Sequence, residues 1–186
     1  RKVYGDLASN EGKALASVQK QVQASSKNLA GTGLSLARVF GRGKKGVAEA
    51  MKQAGEIAKS LGPAFNKLQD QIAGNATELL MLTRGFTGSA DATAAMLKHA
   101  KALGKDGTKY ITEIAGAAQA MGAKFGVSAK VIGKGMGEMM KDISNFGHMA
   151  KKEMLAATTY AAKLGLEIKD LAGVMNKYLN FEDAAE

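Results

Sequence analysis

The residues of this chain best suited to chemistry are the basic ones around a glycine-rich stretch, GRGKKG at 41–46. Arg38, Arg42, Lys44 and Lys45 can contact an anion, because guanidinium and ammonium groups pair with phosphate without reading a base sequence. A nucleotide-binding P-loop needs GxxxxGK followed by Ser or Thr, between a strand and a helix, and this stretch lacks both features. We therefore expect either a general anionic contact, non-specific if the anion is DNA, or a solvated basic face.

Carboxylates and imidazoles are present, but not at spacings that build a catalytic or metal site. Glu78, Glu113 and Glu153 fall on predicted helix faces without the paired acid or histidine that general acid–base chemistry requires. His99 and His148 lie in unrelated contexts, and the chain has no cysteine. We therefore predict that the protein is not an enzyme and that it uses no metal ion and no cofactor.

The positive charge of the chain is concentrated in its first third. Residues 1–68 contain 12 Lys and Arg against 4 Asp and Glu, a net charge of +8, whereas residues 69–186 contain 14 against 13. A segment this basic suits an anionic neighbour such as nucleic acid, lipid headgroups or an acidic protein surface. The alternative is again a basic face that contacts only water.

The elements that must position these residues are predicted to be helices. Leu15, Val18 and Val22 follow helical spacing, and runs that alternate between polar and β-branched residues are absent. Aromatic residues make up only 5% of the chain and there are 23 glycines, which favours thin helix-to-helix packing over a thick core. We predict an all-α fold of elongated helical segments or helical hairpins, joined by glycine-centred breaks and without a β-sheet.

An internal period predicts two parts: a basic amphipathic helical arm with glycine-rich breaks, 1–62, and a degenerate helical repeat of about 39 residues, 63–186. A shift of 39 residues superposes four largely apolar columns in three units and aligns the breaks GFTGSAD, KFGVSAK and KLGLEIK. The columns are Leu82, Met121 and Tyr160; Phe86, Phe125 and Leu164; Thr93, Ile132 and Leu171; and Leu97, Met136 and Met175. Periods of this size, made of paired helices, are typical of helical arrays. From this repeat we predict that Gly126 and Gly165 are hinges. We also predict a set of positions at which helices pack or copies of the protein associate: Leu97, Ile132, Met136, Leu171 and Met175.

Methionine and glycine dominate the faces of the later helices. Met136, Met139 and Met140 either fill a core or form an adaptable surface for changing partners or lipid, because the thioether side chain is flexible and polarizable. GKGMG at 133–137 predicts close approach of helix backbones, although three glycines in five residues also weaken a helix. No residue in these faces is required to react.

The C-terminal third, AKKEMLAATTYAAKLGLEIKDLAGVMNKYLNFEDAA at 150–185, resembles the tail tape measure proteins of tailed bacteriophages. The phrases that carry the resemblance are LGLE at 164–167 and NFEDAA at 180–185. In that family such phrases join and close helical stretches, and KFGVSAKVIGKGMGEM at 124–139 is similar to the same unit one period earlier. The resemblance covers about residues 80–186, so it implies a fragment of a longer helical protein.

The resemblance implies a structural protein that occupies the lumen of the tail tube or the tail tip, sets tail length and leaves ahead of the DNA at ejection. It further implies several copies, a trimer or hexamer about the tail axis, with tail-tube and baseplate or tail-tip proteins as partners. The location would be the virion, and transiently the host cell envelope. Two alternatives remain open: a membrane-active helical protein that inserts into or permeabilises the host membrane, and a basic nucleic-acid-binding accessory protein without sequence preference.

Overall fold

The computed structural model describes residues 44–173, apart from the side chains of residues 44–48, 51, 69, 73 and 74. Of this part of the chain 85% is helical and none is in a strand, which confirms the predicted all-α fold. A 3₁₀ turn, Gly62–Ala64, and a π turn, Thr83–Thr87, follow the first and third helices, and residues 168–173 are again helical. The α-helices are α1 (Lys44–Leu61), α2 (Phe65–Gly74), α3 (Ala76–Leu82), α4 (Ala90–Ala102), α5 (Gly107–Phe125), α6 (Ala129–Lys141), α7 (Ile143–Phe146) and α8 (Lys151–Leu164).

Local side chains explain where several of these helices begin. The Ser89 hydroxyl accepts a hydrogen bond from the Ala92 backbone N–H at the start of α4. At the start of α5 the Asp106 carboxylate accepts from the Lys109 N–H, with an oxygen-to-nitrogen distance of 2.9 Å. Such contacts satisfy backbone donors that have no partner inside the helix.

The spacing of 39 residues appears in the positions of the helices. Helical structure begins at residues 90, 129 and 168, and α4 and α6 both contain 13 residues. The helices α5 and α8 likewise end 39 residues apart, at Phe125 and Leu164. Their starts are further apart because α7 lengthens the connection before α8, so the period is kept around the glycine breaks and lost in the other connections.

The described helices pack in two rows. One row contains α1, α4 and α6 side by side, and the other contains α3, α5 and α8. The helix α6 lies in the middle, since it contacts α4, α5, α8 and the π turn. Few bulky aromatic side chains fill the space between the rows, as the composition predicted, and Ala, Leu, Ile and Met supply most of the core.

The described end of the predicted arm, α1, packs into the same core as the repeat. Ile57 and Leu61 are only 2% and 1% exposed. The predicted boundary at residue 62 coincides with Gly62, whose φ is +55°, and with Pro63 in the 3₁₀ turn. A positive φ followed by Pro ends a helix, so this boundary marks a turn between packed helices.

None of the described helices is both long enough and apolar enough to cross a lipid bilayer.

Candidate functional site: the packing face of the central helix

Three of the five predicted packing positions lie in the centre of the core. Ile132 and Met136 of α6 are fully buried, and Leu97 of α4 is 1% exposed. Leu171 is partly buried and packs against the same core, whereas Met175 lies outside the described residues. Arg38 and Arg42 also lie outside them, and Lys44 and Lys45 are described only as backbone at the start of α1.

One face of α6 approaches the backbone of the preceding unit through two glycines one turn apart. A Cβ atom added at Gly133 would lie 2.5 Å from the carbonyl oxygen of Phe86 and 2.6 Å from its ring. A Cβ atom added at Gly137 would overlap Ala92 of α4. Real Cβ contacts do not occur at such distances, so these two positions require glycine as long as the helices stay in place.

The opposite face of α6 is close to the following unit. A Cβ atom added at Gly135 would lie 3.0 Å from the Thr158 methyl group of α8 and 3.3 Å from Ile168. The three glycines therefore let α6 pack closely on both sides, as the sequence predicted for GKGMG. The helix is nevertheless unbroken over Ala129–Lys141, because packing on both faces offsets the low helix propensity of glycine.

The π turn before α4 places Phe86 against Gly133 and keeps the repeat in register. The Gly88 N–H donates to the Thr83 carbonyl at 2.7 Å, a bond that spans one residue more than an α-helical bond. Gly88 precedes α4 by two residues, whereas Gly126 and Gly165 precede the next helices by three. The π turn contains one residue more than an α-helical turn, and this residue compensates for a break that is one residue shorter than the other two. As a result α4 begins one full period before α6.

A chain of buried hydroxyl groups joins the π turn to α4. Thr83, Thr87 and Thr93 are fully buried, and the Thr93 oxygen lies 2.9 Å from that of Thr83 and 2.6 Å from that of Thr87. Thr83 in turn donates to the Leu79 carbonyl at 2.7 Å. One proton per hydroxyl is accommodated if Thr87 donates to Thr93, Thr93 to Thr83 and Thr83 to Leu79.

This hydroxyl chain was not predicted from the sequence, where Thr93 was assigned to an apolar column. The signal that would have indicated it is the placement of three threonines around a single glycine break, in TRGFTGSADAT at 83–93. Burying a hydroxyl group costs free energy unless the group is hydrogen-bonded. The hydrogen bonds between these threonines therefore fix the position of the π turn relative to α4.

Gly126 and Gly165, the predicted hinges, end α5 and α8 in the left-handed conformation, with φ of +71° and +70°. In both cases the next residue closes the helix: the Val127 N–H donates to the Gly122 carbonyl and the Leu166 N–H to the Ala161 carbonyl, each at 2.9 Å. This pattern is a Schellman C-cap, which reverses the chain direction at a glycine. Whether the two glycines also act as hinges remains a prediction.

The two histidines are in different environments. His99, in the last turn of α4, is half-buried, and its Nδ1 lies 3.0 Å from the Tyr110 hydroxyl of α5. Burial lowers the pKa of His99 below its ordinary value of 6.5 and raises the pKa of Tyr110 to about 12. His148 is exposed. The His99–Tyr110 contact joins two helices and positions no further acid or nucleophile.

The carboxylates singled out from the sequence are exposed, and each has a structural contact. Glu113 pairs with Lys151 at 3.0 Å, which joins α5 to the start of α8 and lowers the pKa of Glu113. Glu78 accepts from the Thr112 hydroxyl, and Glu153 accepts from the Ala150 N–H at 2.8 Å and so caps α8. Within residues 44–173 no group of three or more His, Cys, Asp or Glu is arranged to hold a metal ion.

An apolar groove of about 530 Å³ runs along α4 and is closed on its other side by the C-terminal end of α6. Met139, Met140 and Met154 form its floor and are nearly fully buried, and Leu103 and Ile143 stand exposed at its rim. The methionines therefore fill the core here, which is the first of the two possibilities that the sequence left open. Asp91 and Lys141, 3.5 Å apart, form an ion pair across the groove.

In the part of the chain that the structure describes, these features define an all-α fold of packed two-helix units, whose buried residues form contacts between helices. Comparisons with models of protein families, with curated proteins and with solved structures find no match to this chain.

Proposed function

We propose that this chain is a segment of a structural protein of a phage tail, which occupies the tail-tube lumen or tail tip, sets tail length and leaves ahead of the DNA. The observation that carries the proposal is the helical unit that recurs at residues 90, 129 and 168. A protein that measures length needs a unit that can be repeated without new chemistry. In each of the three units a glycine in the left-handed conformation, Gly88, Gly126 or Gly165, ends the first helix.

The packing of the described helices supports a role in which the protein makes contacts and does not catalyse a reaction. The residues buried deepest in α6 are Ile132, Met136 and the three glycines, none of which can serve as an acid, base or nucleophile at neutral pH. His99 and Tyr110 have shifted pKa values and lie beside or in the core, and they contact each other and join α4 to α5. In this proposal the partners are further copies of the protein together with the tail tube and the baseplate or tail tip.

The test is to change the number of repeat units in a phage whose tail contains this chain. Duplicating residues 129–167 in the gene should lengthen the tail, and deleting them should shorten it, as measured by electron microscopy of purified virions. The size of the change reports the geometry: a fully extended helical unit of 39 residues adds about 60 Å, whereas a stacked hairpin adds about 10 Å, the distance between packed helix axes. An unchanged tail length, or absence of the chain from purified tails, would contradict the proposal.

A further inference from the structure

An exposed apolar surface lies where α5 and α8 end. Tyr160, Leu164 and Leu166 are 52%, 70% and 44% exposed. The Phe125 ring lies beside that of Tyr160, with the ring centroids 5.3 Å apart and the planes tilted by 56°. These four residues are called the end patch below.

The fold does not require these side chains to be exposed, because an earlier unit covers the corresponding position. Two shifts of 39 residues relate Leu164 to Phe86, which is only 4% exposed because Gly133 of α6 lies against it. Phe125, one shift away, is half-buried. Apolar exposure therefore increases from unit to unit, and at Leu164 a large apolar side chain is left in water, at a cost that a partner would remove.

The charges beside the end patch are positive. The ammonium groups of Lys124 and Lys163 lie 5.6 and 5.3 Å from the centroid of the Phe125 ring. Among the described residues neither lysine forms an ion pair, and the neighbouring carboxylate of Glu167 is already paired with Lys169 at 2.6 Å. The patch therefore presents leucines flanked by two ammonium groups, an arrangement that suits an anionic partner with an apolar interior.

Two other occupants fit these observations less well. A second copy related by a two-fold axis through the patch would bring Lys124 and Lys163 of both copies together, and like charges repel. A nucleic acid would pair with the lysines but would leave Leu164 and Leu166 in water, because phosphate contacts bury little apolar surface. An anionic bilayer offers both headgroup charge and an apolar layer beneath it.

We propose that the end patch docks on the surface of an anionic lipid bilayer. Leu164 and Leu166 enter the boundary between headgroups and acyl chains, Tyr160 lies at the interface with its hydroxyl towards water, and Lys124 and Lys163 contact the headgroups. This assignment does not depend on the proposed tail function. It also differs from the membrane face that the sequence indicated, because the Ala, Gly and Met faces of α4 and α6 are buried against other helices.

The chain contains no tryptophan, so a single introduced tryptophan reports the environment of one position. The full chain carrying Leu164→Trp is mixed with vesicles of phosphatidylcholine alone, and with vesicles of phosphatidylcholine and phosphatidylglycerol. The matched control is Ile143→Trp, because Ile143 is also 70% exposed but lies at the rim of the groove. The proposal expects a blue shift of the emission, and quenching by brominated acyl chains, for the first variant with anionic vesicles only.

A second pair of variants tests the role of charge. Lys124→Gln with Lys163→Gln, made in the Leu164→Trp chain, should weaken anionic-vesicle binding measured by the blue shift by about fivefold for each lysine. The control is Lys101→Gln with Lys109→Gln, two exposed lysines at the end of α4 and the start of α5, which should leave the titration unchanged. Equal weakening by both pairs would show that net charge alone drives binding, and would overturn the assignment to this patch.

Three further outcomes would also overturn it. A tryptophan at 164 that stays in water while the chain sediments with vesicles would place the lipid contact elsewhere, for example in the basic segment 1–62. Equal shifts at positions 164 and 143 would indicate unspecific adsorption. A blue shift that grows with protein concentration in the absence of vesicles would identify a second copy as the occupant of the patch. The variant Leu166→Trp provides an independent second reporter for each of these comparisons.

Discussion

Gly133 of α6 lies against Phe86 of the π turn so closely that a Cβ atom at position 133 would stand 2.5 Å from the Phe86 carbonyl oxygen. The contact joins two consecutive units of the repeat and involves backbone, which cannot move aside as a flexible side chain can. Together with the contact of Gly137 on Ala92, it leaves no room for a larger side chain on this face of α6.

Gly133→Ala should destabilise the protein. The added methyl group overlaps the backbone and ring of Phe86, and overpacking of this kind costs about 1–3 kcal/mol, more than the roughly 1 kcal/mol that alanine gains in helix propensity. Because the overlap is with backbone atoms, we expect an overpacking cost in the upper part of this range, so the free energy of unfolding, measured by urea denaturation, should fall by about 1–2 kcal/mol.

The same substitution should have the opposite effect at Gly116 in the middle of α5. Nothing lies within 4 Å of a Cβ atom built there, and the residue is exposed. Gly116→Ala should therefore stabilise the protein by about 0.5–1 kcal/mol through helix propensity alone. If both variants gain stability, α6 does not approach Phe86 as closely as described.

Gly126→Ala and Gly165→Ala should each destabilise the protein by about 1 kcal/mol, because a Cβ atom disfavours the left-handed conformation. There is open space around both positions, so the cost comes from the backbone and not from a clash. Asparagine, which tolerates positive φ better, should cost less than alanine at each position. Thermal unfolding followed by circular dichroism would distinguish the two substitutions, and equal losses would exclude this backbone explanation.

Thr93→Val should destabilise the protein although the two side chains have nearly the same shape. The substitution removes the hydroxyl that lies between Thr83 and Thr87. Thr83 then loses a donor, and Thr87 keeps only its longer contacts of 3.2 Å with the Thr83 and Ser89 carbonyls, at a cost of about 1–2 kcal/mol. Thr112→Val is the control, because the Thr112 hydroxyl is exposed and donates to Glu78 on the surface. Chemical denaturation should give a loss below about 0.5 kcal/mol for the control, and a comparable loss in both variants would argue against the buried chain.

Stability should decrease as the pH falls from about 7 to about 5 because of His99. Burial lowers the pKa of His99 in the folded state below its ordinary value of 6.5, so the unfolded chain binds the proton more readily. The contribution of the neutral imidazole is thus fully present above the unfolded pKa and is lost as the pH falls towards the folded pKa. His99→Gln should flatten the dependence of the urea midpoint on pH in this range.

His148→Gln serves as the reference for this measurement, because it replaces an exposed imidazole by the same amide. The slope of the His99→Gln variant is compared with that of this reference. A further decrease at lower pH is expected in both variants, because hydrogen bonds with Ser60 and the charge of Lys141 lower the pKa of Asp91, and hydrogen bonds with Asn145 and Ser144 lower that of Asp142. If His99→Gln keeps the full slope between about pH 7 and pH 5, the burial of His99 is not its cause.

Much of the fold was predictable because the helical spacing of apolar residues and the glycine breaks indicate the same helices. Helical spacing predicted the all-α class, and the alignment of Thr93 with Ile132 and of Leu97 with Met136 identified positions that are all buried. The same alignment also grouped Phe86 with Leu164, yet the first is buried and the second exposed. Sequence similarity between units indicates which face is apolar, but it does not indicate whether another helix covers that face.

The sequence by itself determined where helices begin and end, because glycine at positive φ and capping side chains act within a few residues. Only the tertiary structure decided the role of the glycines in GKGMG. Gly133 and Gly137 allow close contact with the preceding unit, and Gly135 allows close contact with the following one. The same is true of Thr93: its hydroxyl has a local acceptor in the Ser89 carbonyl, but it contacts Thr83 and Thr87 only because the π turn folds against α4. Burial and close approach depend on elements far apart in the chain, and no local pattern contains that information.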